Sequence, residues 1–432
     1  MKVLIPFLLL VAEAFALPAE DLEKRQLGNL LTSFMGASKQ ATVLKTLTPE
    51  YDPKATRAIY MYGPFKLPAS NATHGPTGMG TSGIKLDPNS DTPGGGIEPP
   101  CKDCTVFKVM ANFAYKDGRQ ADVANGVYTH HIILADLSGK GQLMPPVNPP
   151  KCTNGAVLSP MPPMGAMGPK SPGGTTTPAN GAPAAGGMAG MSHGGHSRRS
   201  APISKRQFGM SVFVGGGGSM GSGNPFSPKP GSNVKAGYWI GKGGKMYLTS
   251  EIVNYDPVEK DIYFTLDLEW VPGKAADLLD VGLGALTADA CADKDKGILH
   301  PPKDKAITYK GEEWNVIDNG YFINFTPHVH DGAVNIKVFL NGKEICEAKA
   351  LYGAEGGSAT GLDGQKWETI TAYTPCDTAV PIKKGDKVYI TSEYDLTKHR
   401  LRPDNNHAEG EAEGMALANF IFARPFSKGF FG

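Results

Sequence analysis

Wherever apolar and polar residues alternate regularly along this chain, the period is that of a β-strand. From Asp261 to Trp270, Ile262, Phe264, Leu266, Leu268 and Trp270 fall on one side, and Tyr263, Thr265, Asp267 and Glu269 on the other. Val334, Ile336, Val338 and Leu340 alternate likewise and run into Asn341-Gly342. That dipeptide suits a two-residue hairpin turn, which makes Lys343 to Ala348 the returning strand. The same pattern predicts strands over Thr105 to Tyr115, Val127 to Ala135, Lys245 to Tyr255, Tyr321 to Thr326, Lys387 to Tyr394 and Met415 to Ala423. Helical periodicity is confined to Glu20 to Phe34 and a short stretch at Ala275 to Leu279. Many strands with few helices between them predict an all-β fold of antiparallel sandwiches.

Composition turns this into a domain plan. A chain of 432 residues exceeds what one core usually serves, so two domains are expected. Between Thr153 and Ser232, glycine, proline, serine, alanine and methionine displace branched apolar residues, and most of that stretch cannot bury enough surface to fold alone. The expectation is two tandem antiparallel β-sandwich domains, jelly-roll-like, over residues 55–275 and 276–425, with a long disordered insert at 153–232 in the first.

The N-terminus reads as an export signal over residues 1–16: Lys2, an apolar stretch from Val3 to Ala12, and Ala14-Phe15-Ala16 as the cleavage motif. Lys24-Arg25 resembles the dibasic pairs cut by kexin-type proteases, which would make residues 17–25 a propeptide, and Lys205-Arg206 repeats the pattern; the alternative for either pair is ordinary exposed surface. No later apolar run is long enough to span a bilayer. With 43 basic and 42 acidic residues, nothing points to a nucleic-acid partner. The product is therefore expected to be secreted, extracellular or in the cell wall. Six cysteines in an exported chain suit three disulfides, whose pairing the spacing leaves open. Cys101-x-x-Cys104 has no second close pair to complete a zinc site and reads as structural. Asn71-Ala72-Thr73 is a glycosylation signal in a loop, whereas Asn324-Phe325-Thr326 lies inside a strand.

Two histidine motifs carry candidate chemistry. In a strand, His328 and His330 project from one face and can converge on a metal. Imidazole suits copper, zinc, iron and nickel alike, and two histidines on a polar sheet face also occur by chance. Met415 opens the last apolar strand, where its thioether would favour copper(I), although a methionine is more often a gap-filler. His130 and His131 are adjacent, so in a regular strand they point to opposite faces; only a bulge lets both serve one metal. The insert holds Met161, Met164, Met167, Met188, Met191, His193 and His196, which resemble copper-capturing segments of transport proteins or reflect biased composition alone. No nucleophile elbow, HExxH helix, P-loop or dinucleotide fingerprint is present.

Taken in order, Gly63-Pro64-Phe65-Lys66-Leu67-Pro68, Pro100-Cys101-Lys102-Asp103-Cys104, Thr129-His130-His131-Ile132-Ile133-Leu134, Glu251-Ile252-Val253-Asn254, His328-Val329-His330-Asp331-Gly332 and Gly414-Met415-Ala416-Leu417 make a pattern. It resembles the copper type II, ascorbate-dependent monooxygenases of the peptidylglycine α-hydroxylating kind, closest to their stress-up-regulated nodulin-type branch. The resemblance implies two sandwiches with a metal site in each, facing a shared cleft. The roles of holding the copper that activates dioxygen fall to His328, His330 and Met415. His130 and His131 match the pair that, with a third histidine, holds an electron-supplying copper. Asn254 or Tyr255 stands where that third histidine is expected, and an amide is a poor copper ligand. Thr326 replaces the arginine that grips a peptide carboxylate, which speaks against a peptide substrate ending in glycine. The resemblance also implies a Cys104–Cys152 bridge, with Cys346–Cys376 and Cys101–Cys291 as the remaining pairs.

Two functions follow. One is a secreted copper-binding protein, a reductant-dependent monooxygenase acting on a small-molecule or cell-wall substrate with an external reductant such as ascorbate. The other is a non-catalytic extracellular stress-response protein that keeps the double-sandwich fold.

Overall fold

The computed structural model describes residues 38–72, 90–138, 143–152, 211–216, 222–275, 277–288, 291, 298–353, 357–360, 364–376, 379–403 and 414–424. The export signal, both dibasic pairs and the methionines and histidines of the insert lie outside them. Among the described residues the fold is all-β and nearly all antiparallel, the helical content being one 3-10 turn at Val123–Asn125.

A single long sheet runs through the molecule. In order, its main path is Thr42–Leu47, Thr56–Leu67, Lys260–Pro272, Cys104–Ala114, Ala236–Ile240, Leu279–Thr287, Gly414–Arg424, Gly320–Val329 and Val380–Ile382. Its two halves meet where Ala236 and Gly237 pair in parallel with Leu279 and Asp280. A second sheet, built on Val127–Asp136 and Met246–Asn254, covers one half. A third, built on Lys343–Tyr352, Ala333–Leu340 and Lys387–Tyr394, covers the other. Two cores result. The first packs Phe113, Phe264, Leu266 and Leu268 of the long sheet with Ile132, Leu134, Leu248 and Ile252 of its cover. The second packs Phe322, Phe325, Phe420 and Phe422 with Ile336, Val338, Ile390 and Tyr394. This is the sheet-on-sheet packing that period-2 alternation demands.

Local signals act as the pattern predicts. Ile262, Phe264, Leu266 and Leu268 are buried on one side of their strand. Asn341 and Gly342 take positive φ values of 52° and 78° in a tight turn, with Lys343–Tyr352 returning along Ala333–Leu340. Two glycines matter through close approach. Gly282 and Gly284 lie directly opposite Phe422 and Phe420, and a Cβ on Gly284 would sit 2.3 Å from the Phe420 ring. The bare backbone lets both rings lie across it.

Three expectations change. Around Ala275 to Leu279 the described residues form a turn and the start of Leu279–Thr287 rather than a helix; five residues cannot nucleate one against a strand that is already pairing. Within the 153–232 stretch, Ser211–Gly216 pairs with Val127–Asp136 and Ser222–Pro225 with Cys104–Ala114, because glycine-rich chain can complete a sheet whose neighbours supply the burial. The disulfides are Cys101–Cys104, Cys152–Cys291 and Cys346–Cys376, so neither Cys104–Cys152 nor Cys101–Cys291 forms. Asp103, at φ 49°, curls the short loop until its two cysteines meet. After Val127–Asp136 the chain crosses to the second core, where Val147–Asn148 pairs with Trp314–Val316, and this carries Cys152 to Cys291.

Substituting Gly284→Val should lower unfolding free energy by about 1–3 kcal/mol in chemical denaturation, since Phe420 must leave its place. An unchanged midpoint would show that the close approach is dispensable.

Candidate metal centre

The adjacent histidines reach one face through a fault in the ladder. Val127–Asp136 pairs with Met246–Asn254 so that Glu251 faces His131 and Ile252 faces Thr129, leaving His130 as the extra residue. That bulge swings both imidazoles to one side, with ring centroids 4.1 Å apart. Facing them is a carboxylate that alternation alone did not single out. Glu251 is buried; its Oε2 accepts from His131 Nδ1 at 2.9 Å and lies 3.3 Å from His130 Nδ1, and its Oε1 accepts from Ser90 Oγ at 2.9 Å. The ligating atoms of His130, His131 and Glu251 all lie within 4.8 Å of one another. The usable signal was an acid inside a strand whose neighbours Ile252 and Val253 are both apolar.

The third-histidine position does not contribute. Asn254 is buried, donates to the carbonyls of Pro68 and Val258, and accepts from the amide of Asp256, so it shapes a loop. Tyr255 packs against Trp367 instead.

His328 and His330 stand at the end of Gly320–Val329, buried, with ring centroids 5.6 Å apart and nearly perpendicular. Val329 between them enters the second core, which leaves the histidines on the opposite face. His328 pairs with Leu417, and the His330 amide donates to the Met415 carbonyl at 3.2 Å. Half-buried Met415 thus occupies the register position beside His330, while Ala416 and Ala418 face the core. Tyr394 Oη fastens that backbone, donating to the Met415 carbonyl and accepting from its amide. Asp331, the next residue, is wholly buried: Oδ1 accepts from the Ile370 amide and Thr369 Oγ1, and Oδ2 from Trp367 Nε1. Burial pushes its carboxyl up to about 6 against the pull of those donors and Arg402.

The two pairs, expected on opposite sides of a cleft, are in contact. His130 Nε2 lies 3.2 Å from His330 Nε2, and His131 Nε2 lies 3.1 Å from His328 Nε2. Each contact joins residues about two hundred positions apart. Burial first, and the neighbouring His131 second, hold His130 well below the ordinary histidine range despite Glu251, so its imidazole is neutral. Burial would raise the Glu251 carboxyl, but the imidazoles of His130 and His131 outweigh it and keep the group ionised. An ionised carboxylate only accepts, so its hydrogen bond with His131 places a proton on Nδ1, and Nε2 is the ring nitrogen turned to the centre.

Comparison with known proteins finds relatives named as copper-dependent oxygenases. The chain is 23% identical over 327 residues to a Phoma protein named probable copper-dependent oxygenase M1, covering 75% of this chain and 66% of that one. It is 27% identical over 206 residues to the probable copper-dependent oxygenase clz3 of Cochliobolus lunatus, covering 46% and 63%. The chain thus spans just under two thirds of the length of these relatives. No family model matches it.

Other predicted sites are plain. Asn71 is exposed in a turn, whereas Asn324 is buried with its amide directed to the Cys376 carbonyl. Thr326 Oγ1 donates to Asn324 Oδ1 and lies 3.2 Å from the Gly223 carbonyl.

Because folding depresses the His130 pKa, the unfolded chain binds more protons than the native one below about pH 6.5. The metal-free protein should therefore lose stability as pH falls through that value. His130→Gln should flatten the slope in thermal melts from pH 5 to 8, and an equal slope in both proteins would remove His130 as its source.

Proposed function

We propose that this chain is a copper-binding protein with oxygenase-type activity, its metal held by His130, His131, His328 and His330. The observation that carries the reading is a pair of Nε2–Nε2 contacts between two distant strands, His130 with His330 and His131 with His328. The donor set suits the metal. Nitrogens bound at about 2.0–2.1 Å to one ion lie roughly 3.1–3.3 Å apart when the angle between them is about 100–108°. The two cross-strand contacts fall at that spacing. Imidazole is a good copper ligand, and Met415, beside His330, would add a soft thioether that favours the reduced ion. Both relatives are named for copper-dependent oxygenation. Three disulfides fit an exported protein, as the N-terminal signal does.

When bound, copper would supply the one-electron chemistry that activates dioxygen. The protein's own contribution is preparation. Glu251 holds the Nδ1 proton of His131, fixing the tautomer that offers Nε2. Burial keeps His130 neutral and shields the centre from bulk water. The second-core ladder fixes His328 and His330 on one face beside Met415. The substrate is a small molecule, and an external reductant returns the electrons.

Elemental analysis of the purified chain should find about one copper. Reductant-dependent oxygen uptake should vanish in His328→Ala; uptake equal to wild type would sink the enzyme reading, and a chain that takes up no copper would sink the metal reading. Met415→Ala should weaken copper(I) far more than copper(II), and equal retention of both would remove its sulfur from the site.

A further inference from the structure

Beside the histidines lies a small aromatic contact that the function proposed above does not use. Trp367 sits in Lys366–Glu368, which pairs with Ser358–Thr360 in a hairpin of the second half. This hairpin packs on the Val123–Asn125 turn of the first half. Trp367 is almost wholly buried in a cluster with Val123, Tyr128 and Val253. Its ring centroid is 6.0 Å from that of Tyr128 and 5.8 Å from that of Tyr255. Its indole N–H donates to Asp331 Oδ2 at 3.1 Å. Arg402, also buried, adds a parallel tie, stacking over Tyr128 and donating to Tyr255 Oη.

Tyr128 precedes His130 by two residues, and Asp331 directly follows His330. One indole therefore touches both histidine strands, its ring on the first and its N–H on the second. We infer that Trp367 is a positioning residue that keeps His130 against His330 and His131 against His328. The inference rests on the copper reading only for how the centre is used; the contact between the pairs is a property of the chain. Two strands from separate sheets share no ladder at this point, so their spacing depends on what is wedged and bonded between them. An indole suits this because its large apolar face and single donor act at different edges.

The test uses the full chain, with Trp367→Phe keeping most of the ring and losing the N–H, and Trp367→Ala losing both. Copper(II) alone, added to metal-free protein, should give an electron paramagnetic resonance pattern of four nitrogens in wild type. Trp367→Phe should weaken copper(II) by roughly three- to tenfold, the usual net worth of one hydrogen bond. Trp367→Ala, where it folds, should lower the nitrogen count towards two. A second arm needs no metal: nitrogen-15 spectra of the histidine side chains should show fixed tautomers in wild type and exchange-averaged ones in Trp367→Phe. Wild-type affinity, nitrogen pattern and tautomers in Trp367→Phe would overturn the inference. A wild-type chain that ignores copper would overturn the function proposed above, while the tautomer spectra would still decide the role of Trp367.

Discussion

A regular strand cannot aim two neighbouring side chains at one point, and the centre of this protein depends on breaking that rule once. The extra residue at His130 turns two successive imidazoles to the same face, opposite Glu251. Without the bulge, one of them would enter the core packed by Ile132 and Leu134 and the other would face away. The remaining geometry follows: the carboxylate takes the Nδ1 side, and the Nε2 side is left for the histidines of the other half. A β-bulge thus does here what i, i+2 spacing does for His328 and His330.

Charge supplies the second constraint. His130 is tolerable in its dry position only as the neutral ring, since a proton added there is poorly solvated and close to His131. Glu251 offsets part of that cost as an ionised group against the first pair, and Ser90 donates to its other oxygen. Asp331 plays a different part. It binds the Lys366–Glu368 hairpin edge through Trp367, Thr369 and Ile370. The two buried acids therefore divide the labour, one orienting imidazoles and the other orienting backbone.

The long sheet explains how the halves come to share a centre. Its continuity through Ala236–Ile240 and Leu279–Thr287 sets the two cores side by side. Gly282 and Gly284 let Phe420 and Phe422 lie flat against the backbone, which helps settle the strand that bears Met415 beside the one that bears His328.

By itself the sequence determined the local matters, because they depend on residues close in the chain. Alternation placed the strands it predicted to within a few residues but passed over Thr42–Leu47, Thr56–Leu67, Ala236–Ile240 and Leu279–Thr287; Asn341-Gly342 marked the hairpin, and i, i+2 spacing placed His328 and His330 on one face. It also showed that His130 and His131 would need a bulge. What it could not reach were contacts made across long separations: Glu251 as the carboxylate facing the pair, the meeting of the pairs through Nε2, and Trp367 between them. The cysteines divide along the same line. Cys346–Cys376 follows the resemblance, whereas Cys152–Cys291 depends on where the chain crosses between cores. Pattern reports which way a side chain faces, but the partner it meets there is chosen by how whole sheets stack.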